Sequence, residues 1–264
     1  MPLKFAANIS TMFKEYDSLV DRYEAAKNMG FNAVESQFLY NYPLEDISAA
    51  RSKAGITQVL INSAPGNIEA GDFGFASKPH YEAEFISSMD LSMTYAKALG
   101  CKMIHIMAGN QSRYIKDSNV EEVYIENLVK VLDLYSQEGI TFVIEPITQL
   151  LKPNYFLTSF DQAVSYIKKI NSPFLKLQLD IFHLQMICGN LTNNIRELLQ
   201  YVGHIQVSQA PNRDEPSAPG EINYQYVFSL LDELRYDGWI GLEYTPKEST
   251  REGLKWIEEY GYKL

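Results

Sequence analysis

A chain of 264 residues, 46% hydrophobic and 21% charged, carries enough apolar material for one large domain with a sizeable core. Its formal net charge of -10 argues against binding a phosphate backbone, which needs a basic face, but leaves room for a small anionic substrate beside a local positive cluster. The opening MPLKFAANIS enters a strand pattern at once, without the basic stretch and apolar core of a targeting segment, and no run reaches membrane-spanning length. The expectation is a cytoplasmic chain with neither a nucleic-acid nor a membrane partner.

Short β-type runs then alternate with longer amphipathic stretches. KFAANI leads to a helical pattern from about Tyr16 to Met29, and NAVES to one over Leu44–Ala54. TQVLIN is followed by a long loop, SAPGNIEAGDFGFASKP, and a helix over about Tyr81–Leu99. KMIHIM precedes a helix over Val120–Gln137, TFVIEP one over Phe160–Lys169, and LKLQLD one over Leu191–Tyr201. HIQVSQ leads to a helix over Tyr224–Arg235, and WIGLEY to a last one over Arg251–Tyr260. Gly30, Gly55, Gly100, Gly139, Gly203 and Gly238 follow helical stretches where a left-handed C-terminal cap belongs.

Eight strand–helix units without a break in composition predict a (β/α)8 TIM barrel over residues 1–264 as a single domain. The competing open doubly wound sheet wants a glycine-rich first turn, and NISTMFKEY has no glycine. Cys101 and Cys188 form no metal or redox motif and are expected to be packing residues.

In such a barrel the chemistry sits at the C-terminal ends of the strands. Those ends carry Glu145, Asp180, Gln206 and Glu243, spaced 35, 26 and 37 residues apart, one strand–helix unit each. Glu145 ends the apolar run Phe142-Val143-Ile144 just before Pro146, and a buried acid needs a partner. Like-charged carboxylates about 5 Å apart, at an effective dielectric near 20, cost about 3 kcal/mol per pair. A shared proton or a cation must relieve them, and four oxygen donors suit Mg²⁺ or Mn²⁺ better than Zn²⁺. A single acid at a strand end is more often a helix cap or a surface ion pair, whereas four on consecutive strands are read together as a site.

Four further residues are candidates for substrate binding. His183 lies three positions past Asp180, and His105 sits inside the fourth strand. Arg213 occupies the proline-rich loop APNRDEPSAPGE after the seventh strand, placed to meet an anion, and Asn62 closes the third strand. His204, opening the seventh strand, reads as structural. Two glutamates flanking a cation make a proton-transfer pair: one removes a proton alpha to a carbonyl, the other returns one to the neighbouring carbon. Nucleophilic chemistry lacks a GxSxG elbow or a cysteine–histidine pair. The glycine- and aromatic-rich loop GNIEAGDFGF reads as a lid.

With ANIS and Phe13, GFNAVE, INSAPGN, YAKALGC, IHIMAG, IEPI, LQLDIFHLQ, GNLT, NIRE, GHIQVSQAPNRDEPSAPGEINY and GWIGLEYTP, the chain resembles the hydroxypyruvate isomerase family, within the xylose-isomerase-like barrels, nearly end to end. The resemblance implies reversible isomerisation of 3-hydroxypyruvate and 2-hydroxy-3-oxopropanoate. By position, Glu145 and Glu243 would be the acid/base pair, the same two with Asp180 and Gln206 the metal site, and His183 and Arg213 substrate contacts. In related ketose epimerases a histidine stands where this chain has Gln206. Thr245, Lys247 and Thr148 depart from common family residues, as do APGN and the loop GNQSRYIKDSN, and these bear on substrate choice. Competing readings are an epimerase or isomerase of larger sugars on the same residues, a non-catalytic sugar-binding barrel, and a metal-dependent abasic-site nuclease, which would want more than four histidines and a basic groove. A small hydroxy-oxo acid or sugar is the expected partner, and a homo-oligomer is compatible with the sequence.

Overall fold

The computed structural model describes residues 2–111 and 119–264. Its strands are β1 (Lys4–Asn8), β2 (Ala33–Ser36), β3 (Thr57–Asn62), β4 (Met103–His105), β5 (Thr141–Ile144), β6 (Leu175–Asp180), β7 (Val202–Val207) and β8 (Trp239–Leu242). They follow one another in chain order in a closed parallel barrel, the (β/α)8 architecture. The α-helices are α1 (Leu19–Asn28), α2 (Leu44–Ala54), α3 (Glu82–Leu99), α4 (Val120–Tyr135), α5 (Phe160–Ile170), α6 (Ile181–Ile187), α7 (Leu191–Leu198), α8 (Tyr224–Glu233) and α9 (Trp256–Glu259). No helix among the described residues is long and apolar enough to cross a membrane.

The chain divides into two compact units, Met1–Val59 with Leu179–Leu264, and Leu60–Gln178. In the first, the parallel registers set Asn8 of β1 beside Glu35 of β2, Ala7 beside Leu242 of β8, and Gln206 of β7 beside Gly241 of β8. Its core includes an aromatic cluster in which Phe228 stacks on Trp256 (5.2 Å between ring centroids) and Phe5 meets both edge-on. In the second unit, Asn62 of β3 lies beside His105 of β4, His105 beside Val143 of β5, and Ile144 beside Leu177 of β6. Phe142, Val143 and Ile144 are buried, as a strand covered on both faces requires.

Helix boundaries follow local chemistry. The Ser18 side chain accepts from the Val20 amide at the start of α1, and Ser159 and Asn223 cap α5 and α8 likewise. Gly55 and Gly100 are left-handed C-caps of α2 and α3 as expected. Gly203 instead lies inside β7, which begins at Val202, and the left-handed residues after α5 and α8 are Asn171 and Arg235. The expected helix over Arg251–Tyr260 is a 3-10 turn, Glu252–Leu254, followed by the short α9.

The sequence reading passed over α6. Asp180 ends β6 and caps α6 at once, its Oδ1 accepting from the Phe182 amide at 2.7 Å, so DIFHLQMI turns helical without a loop. Cys101 is buried, but Cys188, at the end of α6, is exposed, so the packing role expected of it does not hold. Of the divergent loop GNQSRYIKDSN, residues 112–118 lie outside the described residues.

Candidate active site

In the unit formed by Met1–Val59 and Leu179–Leu264, four of the expected residues meet at the ends of β6, β7 and β8. Arg213 Nη2 donates to Asp180 Oδ2 at 3.2 Å, to the Glu243 backbone oxygen at 3.2 Å and to Glu243 Oε2. Its Nη1 lies 3.2 Å from His183 Nε2, and its guanidinium stacks 4.8 Å from the centre of the Phe182 ring. Arg213 adopts a left-handed backbone (φ 60°), with its amide bonded to Gln209 O and its carbonyl accepting from Thr245 N.

Gln209 makes this loop rigid. Its Nε2 donates to the carbonyls of Pro216, Ala218 and Ile222, and its Oε1 accepts from the amides of Ala210 and Ile222. A Cβ on Gly220 would overlap Gln209 and the Ala210 carbonyl, so the loop closes this tightly only with glycine there. The polar, proline-rich segment that reads as a solvated loop is therefore built around one buried amide.

Electrostatics follow from burial. Glu243 is raised from 4.5 to about 7, chiefly because burial disfavours its charge; Arg213 opposes the rise, Asp180 and Glu35 add to it, and the Gln37 hydrogen bond opposes it. Burial also raises Asp180, against the pull of Arg213 and the amides of Phe182 and His183. His183 is held well below its usual value by burial and then by Arg213, so its imidazole is neutral at pH 7.

Below Glu243 lies a polar group that the sequence reading missed. Glu35 of β2 is fully buried; its Oε1 accepts from Asn8 Nδ2 at 2.9 Å and from Gln206 Nε2 at 2.7 Å, and its Oε2 lies 2.6 Å from His204 Nε2. Asn8 Nδ2 also reaches Glu243 Oε1 at 3.4 Å, and Gln37 Nε2 donates to the same oxygen at 2.8 Å. His204 thus sits within β7, buried on Glu35, rather than at the strand's opening edge. Period-two spacing could have flagged it, because His204 and Gln206 share one face of a strand. Glu35 itself is the same signal as Glu145, an acid in an apolar strand.

In the unit Leu60–Gln178, Glu145 follows β5 and accepts a hydrogen bond from Gln178 Nε2 at 3.0 Å, while His105 Nδ1 lies 3.6 Å from the same oxygen. These are the partners that the buried acid required. Asn62 and His105, both buried, end neighbouring strands. Beyond β3, residues 67–71 form an exposed tip, while Phe75, Ala76 and Ser77 are buried and Ser77 Oγ donates to Ala108 O at 2.7 Å.

Residues 23–260 match the family model described as a xylose isomerase-like TIM barrel. A Danio rerio protein, whose hydroxypyruvate isomerase name is itself provisional, is 44% identical over 98% of this chain and 96% of its own length. The hydroxypyruvate isomerase of Escherichia coli (strain K12) is 36% identical over 98% and 99%. The chain belongs to the hydroxypyruvate isomerase family. A 2-oxo-tetronate isomerase of Pectobacterium atrosepticum is 38% identical over 97% of both chains. A crystal structure titled as a family 2 AP endonuclease from Brucella melitensis superposes with a TM-score of 0.93, at 37% identity, over 98% of this chain and 99% of its own.

Asp180 and Glu243 already converge on one positive group, the Arg213 Nη2 nitrogen. Asp180 and His183 are buried donors in one unit, and Glu145 is a buried donor in the other. Carboxylates and an amide carbonyl are hard donors, so the residues fit a divalent ion.

Proposed function

We propose that this isomerase interconverts 3-hydroxypyruvate and 2-hydroxy-3-oxopropanoate, with Glu145 and Glu243 as the acid/base pair. The observation that carries the reading is Glu243, a carboxyl raised to about 7 and fixed by Gln37, Asn8 and Arg213. A group poised near neutral pH both takes and gives a proton efficiently. One glutamate removes the C3 proton of hydroxypyruvate, giving an enediolate across C2 and C3; the other delivers a proton to C2 while the C3 hydroxyl proton passes to the C2 oxygen, which leaves the aldehyde at C3 and a hydroxyl at C2. Arg213, with its planar donors, holds the substrate carboxylate, and neutral His183 orients a hydroxyl. Asn62 and His105 contact the substrate from β3 and β4.

Glu145, Asp180, Gln206 and Glu243 would hold a divalent ion, Mg²⁺ or Mn²⁺, with His183 as a further donor. When bound, such an ion stabilises negative charge developing on substrate oxygen. A cytoplasmic setting belongs to the same proposal.

A four-carbon substrate is the second reading, favoured by the similarity to a 2-oxo-tetronate isomerase. The nuclease reading suggested by the description of the Brucella melitensis protein is disfavoured by a net charge of -10. The test follows hydroxypyruvate, 2-oxo-tetronate and a neutral ketose by proton NMR with purified protein. Conversion of hydroxypyruvate to the aldehyde with the highest kcat/KM supports the proposal. A higher kcat/KM for 2-oxo-tetronate moves the assignment to the longer acid, and turnover of the neutral ketose alone overturns both.

A further inference from the structure

We propose that Glu35 is a positioning residue that fixes the amide orientation of Gln206, presenting its carbonyl oxygen to a bound divalent ion. This inference rests on the reading of Gln206 as an ion ligand. An amide can ligate a cation only through oxygen, yet a glutamine can turn either end toward a site. The choice is made by what lies on the other side.

Here that neighbour is a carboxylate. Gln206 Nε2 donates to Glu35 Oε1 at 2.7 Å, and an ionised carboxylate can only accept, so the flipped amide would set oxygen against oxygen. Glu35 cannot turn to accommodate a flip. Asn8 Nδ2 holds the same oxygen at 2.9 Å and His204 Nε2 lies 2.6 Å from the other, with all four side chains buried. On the remaining side is Gly241, the β8 partner of Gln206, where any Cβ would overlap the Glu35 carboxylate. Glu35 therefore occupies a slot cut to its shape, and Asn8 links that slot to Glu243 Oε1 at 3.4 Å. Replacing Glu35 by methionine keeps a side chain of similar length but removes the acceptor, and the amide loses its preferred direction; glutamine would not do so, because Asn8 Nδ2 would hold its carbonyl oxygen in the same place.

The test measures Mn²⁺ affinity by titration calorimetry on the full chain, together with the urea unfolding midpoint of each variant. Loss of a group that orients a metal ligand weakens affinity about 10- to 100-fold, and that is the expectation for Glu35→Met. His204→Gln, which removes a different partner of Glu35, is expected to lower the urea midpoint while leaving the Mn²⁺ dissociation constant within about 2-fold. Unchanged affinity in Glu35→Met overturns the proposal, as does an equal loss in His204→Gln, which would mark a general structural effect. Gln206→Ala separates the two layers of inference. If it leaves affinity unchanged, Gln206 is no ligand and the underlying reading falls as well; if it weakens affinity while Glu35→Met does not, only the role of Glu35 falls.

Discussion

Gly241→Ala should be among the most damaging single-methyl changes in this protein. A Cβ at that position would come closer than 3.0 Å to both carboxylate oxygens and the Cδ of Glu35. A flexible side chain normally swings away from such an intrusion at little cost. Glu35 is instead held by Asn8 at 2.9 Å, Gln206 at 2.7 Å and His204 at 2.6 Å, inside a closed core. Hydrogen bonds to a charged group contribute about 1.5–3 kcal/mol each, and displacing the carboxylate breaks at least two of them, so about 4 kcal/mol is expected. With about 2.1 cal/mol/K of unfolding entropy per residue over 264 residues, that is a Tm about 7 °C lower. Differential scanning calorimetry supplies the Tm and urea titration the free energy. The decisive comparison repeats the substitution in a Glu35→Ala background, where the added methyl has nothing to displace and should cost less than about 1 kcal/mol. Equal costs in the two backgrounds would refute the reasoning, because the penalty would then lie in the β8 backbone and not in Glu35.

Two further outcomes follow from the other side of the site. Because Glu243 is raised from 4.5 to about 7, the native chain keeps a proton between those pH values that the unfolded chain has released. Stability from this group is therefore present at low pH and lost as pH rises through that window, by on the order of 3 kcal/mol. Urea midpoints of the parent protein relative to Glu243→Gln should fall between pH 4.5 and 7, and a flat difference would contradict the raised value. Gln209→Met removes the amide that ties the Arg213 loop together at Pro216, Ala218 and Ile222. KM for hydroxypyruvate should rise about 10-fold, roughly 1.4 kcal/mol of carboxylate binding; an unchanged KM would show that Arg213 needs no such support.

The sequence made the strand ends legible because burial of an acid is conspicuous there: Glu145 interrupts an apolar run, Asp180 recurs one strand–helix unit later and Glu243 two units after that. Its spacing also gave the barrel, since each helix needs enough residues to return the chain to the start of the next parallel strand. What it hid was mostly contact across the fold. Nothing local marks Gln209 as the hub of its loop, because its partners lie up to 13 residues downstream. Glu35 was visible as a strand acid, yet its three partners come from β1 and β7. The short α6 was masked because Asp180 serves two roles at once, as the last residue of a strand and the cap of a helix. Gly203 was misread as a helix cap because a 3-10 turn, Leu199–Tyr201, carries the chain from α7 straight into β7.

In the proposed mechanism two glutamates act on different carbons of one substrate. It is tested most directly by incubating hydroxypyruvate in D₂O with Glu145→Gln and Glu243→Gln separately, following C3 protium loss and aldehyde formation by proton NMR. Neither variant is expected to form the aldehyde at an appreciable rate, and one of them still exchanges the C3 proton for deuterium, because its remaining glutamate is the base. Aldehyde formation at the parent rate by either variant would contradict it.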